Sequence, residues 1–545
     1  MRASCLVSIA LFAPLIHAQQ QPPAAQKTAE MCTLNGRVVG AIKGEAVRKA
    51  TLILFQSDKP AGQRYSTITG SGGSFAMQDI EPGKYQLTVM KGGYARMQYG
   101  ARNPGHPGTT LSFDPGQQMR DLVVRLMPQA VITGRVLDED GEPVPQISLQ
   151  LFRYEYSHGK RKQQVSDYAM TNDLGEYRLF DLAPGRYFLA TIPVPEEGLE
   201  RSTSHYAPTY YPGTTDPSGA GLLDLRPGMQ LRGIDIPLMR TKTARLRGRT
   251  ILPAKGQPNQ QVNVMLVPRD QSPGFFSQGG PNIDAQGTFE FRDVAPGAYF
   301  VIAQWSQGEK LFSAQQAIDV RENDIENIVL ELSPAAELKG NLRVEGRRPE
   351  SLTGIQVMLE PGGSSHLGWL MGQVHADGIF TLNNVATGQY QLQVQGAPED
   401  YYVKSARLGD KDVLDSGIDG SHGASGALEI VLTSNGGQVE GVVLNAEEQP
   451  ATGAAVVLVP ESGRRSQSRF YKETTTDQYG RYNIKGLAPG EYKLFAWEDV
   501  ENGAYEDPEF LKNFEALGES VAIRDGCRES KQLKMIVSEG KKAVN

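Results

Sequence analysis

Apolar and polar side chains alternate with a period of two in many short segments of this chain. In one of them Ile147, Leu149 and Leu151 are separated by a serine and a glutamine. Side chains of a β-strand point alternately to its two faces, so this period indicates strands with one buried face. Glycine and proline fall at regular turn positions between such segments, as is typical of all-β proteins. We therefore predict an all-β protein.

The strand pattern recurs five times with nearly constant spacing. Each copy opens with a strand around a glycine, such as Gly36 in the first, and a second strand follows. A signature begins 37 to 41 residues after that glycine, and its first glycine and last tyrosine are always twelve residues apart. Such constancy indicates true internal repeats. The five signatures run from Gly73 to Tyr85, Gly175 to Tyr187, Gly287 to Tyr299, Gly378 to Tyr390 and Gly480 to Tyr492.

Each repeat closes with a further alternating strand, so that a repeat has about 90 to 110 residues and six to eight strands, the size of a β-sandwich. We predict five tandem immunoglobulin-like or prealbumin-like β-sandwich domains in an extended array. The predicted domains are residues 31–128, 129–240, 241–334, 335–434 and 435–545.

The signature itself is interpreted as strand, turn and strand. In the first copy Pro82 and Gly83 predict a type II turn, in which glycine supplies the positive φ. We expect the hydroxyl of the following Tyr85 to find a backbone acceptor, because a buried phenol without one costs free energy. A catalytic role for five equivalent tyrosines is the weaker alternative. The signature is therefore predicted to be a folding motif.

The chain begins with the features of a secretory signal peptide. Arg2 supplies a positive start, an apolar stretch runs from Leu6 to Ile16, and Ala18 ends a small-residue cleavage site. A membrane anchor is the alternative, but the stretch is shorter than the roughly 20 residues of a spanning helix. We predict a signal peptide over 1–18, a flexible spacer over 19–30, and a secreted, periplasmic or cell-surface protein without a transmembrane segment after cleavage.

Charge and cysteine content exclude some classes of function. A net charge of −7 over 545 residues argues against a nucleic-acid-binding surface. Cys5 lies in the predicted signal peptide, and Cys32 and Cys527 lie near opposite ends of the chain. A bridge between them would require those ends to meet, so we expect two separate thiols.

The sequence offers no constellation of catalytic or metal-binding residues. It contains neither an HExxH nor a GxSxG motif. The turn at Asp138–Pro143 could suggest calcium, but it lacks the rest of a calcium-binding loop and favours a hairpin. His366 and His375 form at most a pair without a third ligand. We predict a protein that is not an enzyme and has no cofactor.

Aromatic residues in the variable inserts are the candidate ligand contacts. A flat ring can stack on the apolar face of a sugar while nearby polar groups bind its hydroxyls. The alternative is that these rings cover the ends of the sandwiches by local packing. The candidates are Tyr99, Tyr206, Tyr210, Tyr211, Trp369, Tyr401 and Tyr402.

One short helix is predicted in the fifth repeat. Asp507 is a suitable N-cap, Pro508 suits the first helical position, and Phe510 and Phe514 are one turn apart. Gly518 is predicted to end the helix. We expect its apolar face to pack on its own sandwich; docking onto a partner is the alternative.

The repeated pattern Gly-x-Phe/Tyr followed by Pro-Gly-x-Tyr, after an opening apolar-x-Gly strand, resembles carboxypeptidase regulatory-like domains. These are close to transthyretin-like and collagen-adhesin B-type domains of the carbohydrate-binding-like fold superfamily. The resemblance covers residues 31 to 540, and the fourth copy departs from it at Thr387. It implies a sandwich of about seven strands that usually serves as a non-catalytic accessory module in exported bacterial proteins.

These observations predict an exported, non-enzymatic binding or structural protein of the cell envelope, with carbohydrate as the favoured ligand. The alternative is a protein-binding or spacer module without a small ligand, whose partner would be an envelope protein.

Overall fold

The computed structural model describes most of the chain outside its termini. The predicted signal peptide, nearly all of the spacer, and His366 lie outside the described residues. Among the described residues no helix is long and apolar enough to cross a membrane. The described ranges are 30–57, 62–192, 204–253, 262–269, 283–284, 286–308, 310–362, 369–420 and 426–537.

Strands account for nearly all of the regular secondary structure of the described residues, which confirms the predicted all-β class. The strands up to residue 242 are β1 (Cys32–Gly40), β2 (Thr51–Gln56), β3 (Arg64–Ile68), β4 (Ser74–Ile80), β5 (Gly83–Lys91), β6 (Tyr94–Gln98), β7 (Leu111–Phe113), β8 (Gln118–Leu126), β9 (Ala130–Leu137), β10 (Ser148–Ser157), β11 (Lys160–Met170), β12 (Glu176–Leu182), β13 (Gly185–Ile192), β14 (Ser204–Tyr206), β15 (Leu223–Leu225), β16 (Gln230–Leu231), β17 (Ile236–Pro237) and β18 (Arg240–Lys242).

The numbering continues for the strands from residue 244 onwards. They are β19 (Ala244–Ile251), β20 (Asn263–Pro268), β21 (Thr288–Val294), β22 (Gly297–Gln307), β23 (Lys310–Val320), β24 (Ile325–Glu331), β25 (Ser333–Pro334), β26 (Ala336–Glu345), β27 (Gln356–Pro361), β28 (Leu370–Gln373), β29 (Ile379–Val385), β30 (Gln389–Gln395), β31 (Tyr402–Leu408), β32 (Lys411–Asp412), β33 (Ile418–Asp419), β34 (Leu428–Thr433), β35 (Gly437–Leu444), β36 (Ala455–Pro460), β37 (Lys472–Thr475), β38 (Arg481–Leu487), β39 (Gly490–Trp497), β40 (Glu519–Ile523) and β41 (Arg528–Lys534).

Helical segments are short. One α-helix, α1, spans Pro508–Lys512, and Asp507 caps it by accepting from the Glu509 amide at 3.0 Å, as predicted. Phe510 and Phe514 pack on Trp497 of the same sandwich, which confirms the expected docking. The prediction that Gly518 ends the helix is wrong: α1 ends at Lys512 with Asn513 as its C-cap, and Gly518 follows the separate 3-10 turn Glu515–Leu517. Within the described residues, the four further 3-10 turns are Pro217–Gly219, Ser462–Arg464, Ser468–Phe470 and Ala504–Glu506.

Five pairs of sheets repeat one topology. In each pair the opening strand is antiparallel to the first signature strand and parallel to the closing strand, as β1 is to β4 and β8. The second sheet centres on the following strand and the second signature strand, as β2 and β5 pair. A hydrophobic cluster fills the space between the two sheets of each pair. We call the pairs units 1 to 5, over residues 32–126, 130–242, 244–334, 336–433 and 437–534.

The units confirm the predicted β-sandwich architecture. We propose that they are the five predicted domains, whose bounds stay a prediction.

The opening glycine of each unit is required by close packing. A Cβ added to Gly441 would collide with the Lys531 carbonyl oxygen of the parallel closing strand and lie 3.1 Å from the Tyr482 ring. In every unit the same two neighbours, a closing-strand carbonyl and a signature aromatic ring, lie over the glycine. Only glycine permits so close an approach. The other opening glycines are Gly36, Gly134, Gly248 and Gly340.

The signature tyrosine fixes the corner between its two strands. The hydroxyl of Tyr85 donates to the carbonyl of Glu81, four residues earlier, at 2.8 Å. The predicted backbone acceptor is therefore confirmed, and it recurs in all five units. The corresponding bonds are Tyr187 to Ala183, Tyr299 to Ala295, Tyr390 to Ala386 and Tyr492 to Ala488, at 2.8 to 3.1 Å.

The predicted type II turn in the signature is wrong. Gly83 has a φ of 156° and is already the first residue of β5, whereas that turn needs a φ near 80°. The tyrosine hydroxyl bridges the corner instead, so the backbone need not close a turn of that type.

In units 1, 2 and 5 a buried threonine just after the third strand bonds to the segment between the first two strands. In unit 5 the Thr476 hydroxyl accepts from the Ala454 amide at 2.8 Å and donates to the Ala451 carbonyl at 2.6 Å. Thr69 and Thr171 make the same pair of bonds. In unit 4 the position is held by Val374, and the amide of Ile355 turns to the Leu352 carbonyl instead.

We predict that Thr476→Val lowers the free energy of unfolding of unit 5 by about 1 to 3 kcal/mol, because a buried amide and carbonyl each lose a partner. Hydrogen exchange of unit 5 peptides in the full chain measures the change. Val374→Thr in unit 4 is the matched control. The Ile355 amide, which the new hydroxyl would meet, already donates to the Leu352 carbonyl, so we expect no gain in protection. An unchanged exchange rate in Thr476→Val would contradict the prediction.

The aspartate-rich turn of unit 2 is a hairpin turn. The Asp138 carboxylate accepts from the amides of Asp140 and Glu142 at 2.9 and 2.8 Å, so its oxygen is engaged by the backbone. The hairpin interpretation is confirmed.

The thiols of Cys32 and Cys527 are both free, as expected. Cys32 is buried and its Sγ lies 3.1 Å from the Asp114 carbonyl oxygen.

Unit 1 packs against unit 5, which corrects the predicted extended array. The insert after β6 carries Arg102, which forms an ion pair with Glu498 of unit 5. Next to it, His106 Nδ1 lies 2.6 Å from Asp499 Oδ1. Asn103 donates to the other carboxylate oxygen of Asp499 at 2.9 Å. No pattern in the sequence indicates this contact, because the two complementary inserts are nearly 400 residues apart.

Backbone groups extend the same contact. The Thr475 hydroxyl donates to the Gly108 carbonyl at 2.8 Å, and the Gln478 carboxamide exchanges two bonds with the backbone of Ser112, at 3.0 and 2.6 Å. We call this contact between residues 102–112 and residues 475–499 the clasp. It closes the chain on itself.

Unit 2 also reaches unit 5. The tip of the β10–β11 hairpin places Tyr156 against the apolar cluster that includes Trp497 and α1. His158 of the same tip lies 3.5 Å from Glu360 of unit 4. The hairpin therefore bridges units 4 and 5.

Candidate ligand site between units 4 and 5

A cavity of about 670 Å³ lies where units 4 and 5 meet. Its volume is within the range of roughly 300 to 1,000 Å³ typical of small-molecule sites. Unit 4 contributes strand β30 and the start of β31, unit 5 contributes residues 466–472 and 486–488, and unit 2 contributes His158. We call this cavity the inter-unit cleft.

Two adjacent tyrosines of unit 4 line the cleft. Tyr401 is buried in the core of unit 4 and its hydroxyl donates to the Arg347 carbonyl. Tyr402 begins β31, so its side chain points the opposite way. It is half-buried, and its hydroxyl donates to Asp525 of unit 5 at 2.9 Å. Burial, and then the bond to Asp525, raise the pKa of Tyr402, which keeps the phenol protonated.

Glutamines of β30 form a polar wall. Gln391 and Gln393 both line the cleft, because alternate residues of a strand share a face. Gln393 donates to Glu360 at 2.7 Å. Gln391 is exposed and lines the cleft, and its carboxamide carries both a donor and an acceptor. Gln395 continues the same face but lies outside the cleft lining.

The unit 5 wall is built around Phe470. The 3-10 turn Ser468–Phe470 buries this ring, and two guanidinium groups lie over it, those of Arg464 at 4.9 Å and Arg469 at 3.8 Å. Arg469 also bonds to Asp415 of unit 4, its Nε lying 3.1 Å from Oδ1. The one carboxylate that lines the cleft is therefore paired with a cation across the boundary.

Lys472 is the next charged residue of that wall. It is the first residue of β37 and is directly opposite Leu458, which belongs to the core of unit 5. Its side chain is solvent-exposed, yet burial lowers the pKa of its ammonium group. The two facts agree because a side chain in a cleft can touch water while protein walls exclude the bulk solvent. Among the described residues no carboxylate lies within ion-pair distance of Lys472.

The cleft thus combines aromatic rings, carboxamides and a cation in a concave space. Such a set suits stacking and hydrogen bonding of a polar ligand. In the part of the chain that the structure describes, no three His, Cys, Asp or Glu residues are grouped closely enough to hold a metal ion.

The structure brings together two of the seven candidate aromatic residues, Tyr401 and Tyr402. Tyr99 packs against the core of unit 1, and Tyr211 against the core of unit 2. Tyr210 is only 1% exposed and packs against Phe152, in line with the alternative of local packing. The insert containing Tyr210 folds back over the outer face of its sheet, where an apolar patch receives the ring.

The remaining two candidates lie apart from the cleft. Tyr206 donates to Glu139 at 3.0 Å, and the Arg240 guanidinium covers its ring at 4.8 Å, so that face is occupied. Trp369 is 47% exposed on unit 4. Sequence reasoning missed Phe470, Lys472 and the glutamines. The one available signal was the lysine at an inward position of a strand.

Comparison with known proteins agrees with this architecture. Residues 33–121 and 438–500 match the model of the carboxypeptidase regulatory-like domain. No curated protein matches the sequence significantly.

Several solved structures are similar in part. The TIE protein of Bacillus anthracis is 13% identical with a TM-score of 0.17, over 56% of this chain and 51% of that one; this chain thus spans about half of that protein. The minor pilin of Streptococcus agalactiae is 11% identical with a TM-score of 0.24, over 39% and 97%. The major pilin subunit of Bacillus cereus is 11% identical with a TM-score of 0.15, over 56% and 99%.

At such scores the solved structures carry no argument about function. The family match coincides with most of unit 1 and much of unit 5, and both share their sheet topology with the other units. The protein therefore contains carboxypeptidase regulatory-like domains, at residues 33–121 and 438–500.

Proposed function

We propose that the protein is an exported, non-enzymatic binding protein of the cell envelope, and that the inter-unit cleft binds a carbohydrate. The observation that carries the proposal is the lining of the cleft, to which Tyr402, Gln391 and the guanidinium-covered ring of Phe470 all contribute. Sugars need both an apolar surface and fixed donors and acceptors. Export rests on the signal peptide predicted over residues 1–18.

A non-enzymatic role is supported by how the repeated residues are used. Each signature tyrosine is engaged in the corner of its own sandwich. The most regular feature of the sequence thus has a folding role.

A glycan array with the full chain tests the proposal. We expect binding of at least one glycan class, and we expect Gln391→Ala to weaken it about tenfold, as for the loss of one or two hydrogen bonds. Gln395→Ala is the matched control, since Gln395 lies on the same face of β30 outside the cleft. The proposal fails if no glycan binds, or if both variants behave alike.

Protein binding is the second candidate. The edge strand β11 exposes Tyr168 and Met170, which are 54% and 63% exposed. Exposed strand edges can pair with a strand of a partner. The version in which a linear array serves as a spacer is weakened by the clasp, which closes the chain.

A further inference from the structure

We propose that the inter-unit cleft selects an anionic sugar and that Lys472 binds its acidic group. The inference rests on the proposed function of the cleft as a carbohydrate site and names the class of sugar. The candidate ligands are short oligosaccharides with a carboxylate or sulfate group.

The charged side chains that line the cleft do not balance one another. Asp415 and Arg469 both line it and are bonded to each other. His158 lies beside Glu360. Lys472 is left as the lining cation without a carboxylate at ion-pair distance among the described residues. The cleft therefore presents one ammonium group whose charge is not compensated.

The position of Lys472 is not required by the fold. Residues directly opposite on neighbouring antiparallel strands share a face, and Lys472 is opposite the core residue Leu458. At the equivalent position units 1 and 4 carry Tyr65 and Leu370, which pack against their cores. Unit 2 carries Asp167 there. An apolar side chain would thus suit this site in unit 5, and the lysine places a charge inside the cleft instead.

The surroundings of Lys472 strengthen the attraction of its ammonium group to an anion. Walls of protein weaken the hydration of the ammonium, which lowers the pKa of Lys472. The same reduced hydration strengthens its attraction to an anion compared with a lysine on an open surface. Gln391 is exposed on the opposite wall and can bind sugar hydroxyls. One end of the ligand is then fixed by charge and the rest by hydrogen bonds and stacking.

The test compares three ligands by calorimetry with the full chain: a galacturonic acid trisaccharide, a sulfated galactose trisaccharide and the neutral galactose trisaccharide. We expect the wild-type protein to bind at least one acidic sugar about tenfold or more tightly than the neutral one. Lys472→Met should remove that preference, whereas Lys472→Arg should retain it. Lys534→Met, an exposed lysine of β41 outside the cleft, is the control for net charge.

The outcomes separate the two proposals. If neutral and acidic sugars bind equally, with both depending on Gln391, the carbohydrate site stands and the role of Lys472 is refuted. If Lys472→Met keeps the acidic preference, the inference is equally refuted. If none of the sugars and no glycan on the array binds, both proposals fail.

Discussion

Replacing Gly441 with alanine will unfold unit 5 locally. The added methyl group would collide with the Lys531 carbonyl oxygen and crowd the Tyr482 ring, and neither can move away. Lys531 is held in the parallel closing strand, and the Tyr482 hydroxyl donates to that same carbonyl at 2.8 Å. Overpacking of a rigid site costs about 1 to 3 kcal/mol, and a clash with backbone belongs at or above the upper end.

Hydrogen exchange of unit 5 peptides in the full chain measures this effect. We expect amides of β35 and β41 to exchange at least about a hundredfold faster, which corresponds to roughly 3 kcal/mol. Gly463→Ala is the matched control in the same unit, because nothing lies within 4 Å of a Cβ at that position. Equal protection in the two variants would show that the glycine is not required.

Raising the pH will open the clasp. The hydrogen bond to Asp499 raises the pKa of His106 above its usual value near 6.5, and burial of the imidazole opposes this only in part. A group with a raised pKa in the docked state stabilises docking fully below its undocked pKa. That stabilisation is lost as the pH rises through the docked value. Docking should therefore weaken from mildly acidic to mildly basic pH.

The other charged groups around His106 also affect how docking depends on pH. Burial raises the pKa of Glu473 and of Glu501, so these carboxyls also favour the closed state at lower pH. Burial by itself would raise the pKa of Asp499, but the bonds to His106 and Asn103 and the charges of His106 and Arg102 together lower it, so that its contribution is lost only as the pH falls below the usual range of an aspartate. The nearby positive charge of Arg153 of unit 2 opposes the raised pKa of His106, and Arg102 is paired with Glu498.

Small-angle scattering from about pH 5.5 to about pH 8.5 checks the opening, since this range spans the titration of a histidine with a raised pKa. We expect a larger radius of gyration at the basic end, after the loss of a charge-assisted bond that contributes about 1.5 to 3 kcal/mol. His106→Gln should respond much less to pH over this range, because only the carboxyls of Glu473 and Glu501 then contribute to the dependence. A wild-type profile that matches the His106→Gln profile would refute the prediction.

The sequence predicted the sandwiches well because their determinants are local. Alternation, the spacing of the opening glycine, and the signature tyrosine each act within one unit, and the structure uses them there. Even the substitution of Thr387 for proline in the fourth copy leaves the Tyr390 corner bond in place. The corner bond of the signature tyrosine therefore tolerates a single departure from the sequence pattern.

The cleft could not be predicted in the same way. Its walls belong to different units, and which surfaces meet depends on contacts such as that of Tyr402 with Asp525, 123 residues later. The fate of Tyr210 shows the same limit, since an insert rich in tyrosine can cover its own sheet as readily as it can face a ligand. Composition identifies an aromatic insert but not the direction in which it folds.

The clasp also has a consequence for the order in which the chain is made. The chain is synthesised from its N-terminus, so unit 1 is complete long before residues 475–499 have been made. The loop with Arg102 and His106 therefore stays uncovered during synthesis. Each sandwich has its own hydrophobic cluster and can form in turn. Closure is then the final step, and chains that stop early would display an unpaired, charged loop by which incomplete molecules can be distinguished from finished ones.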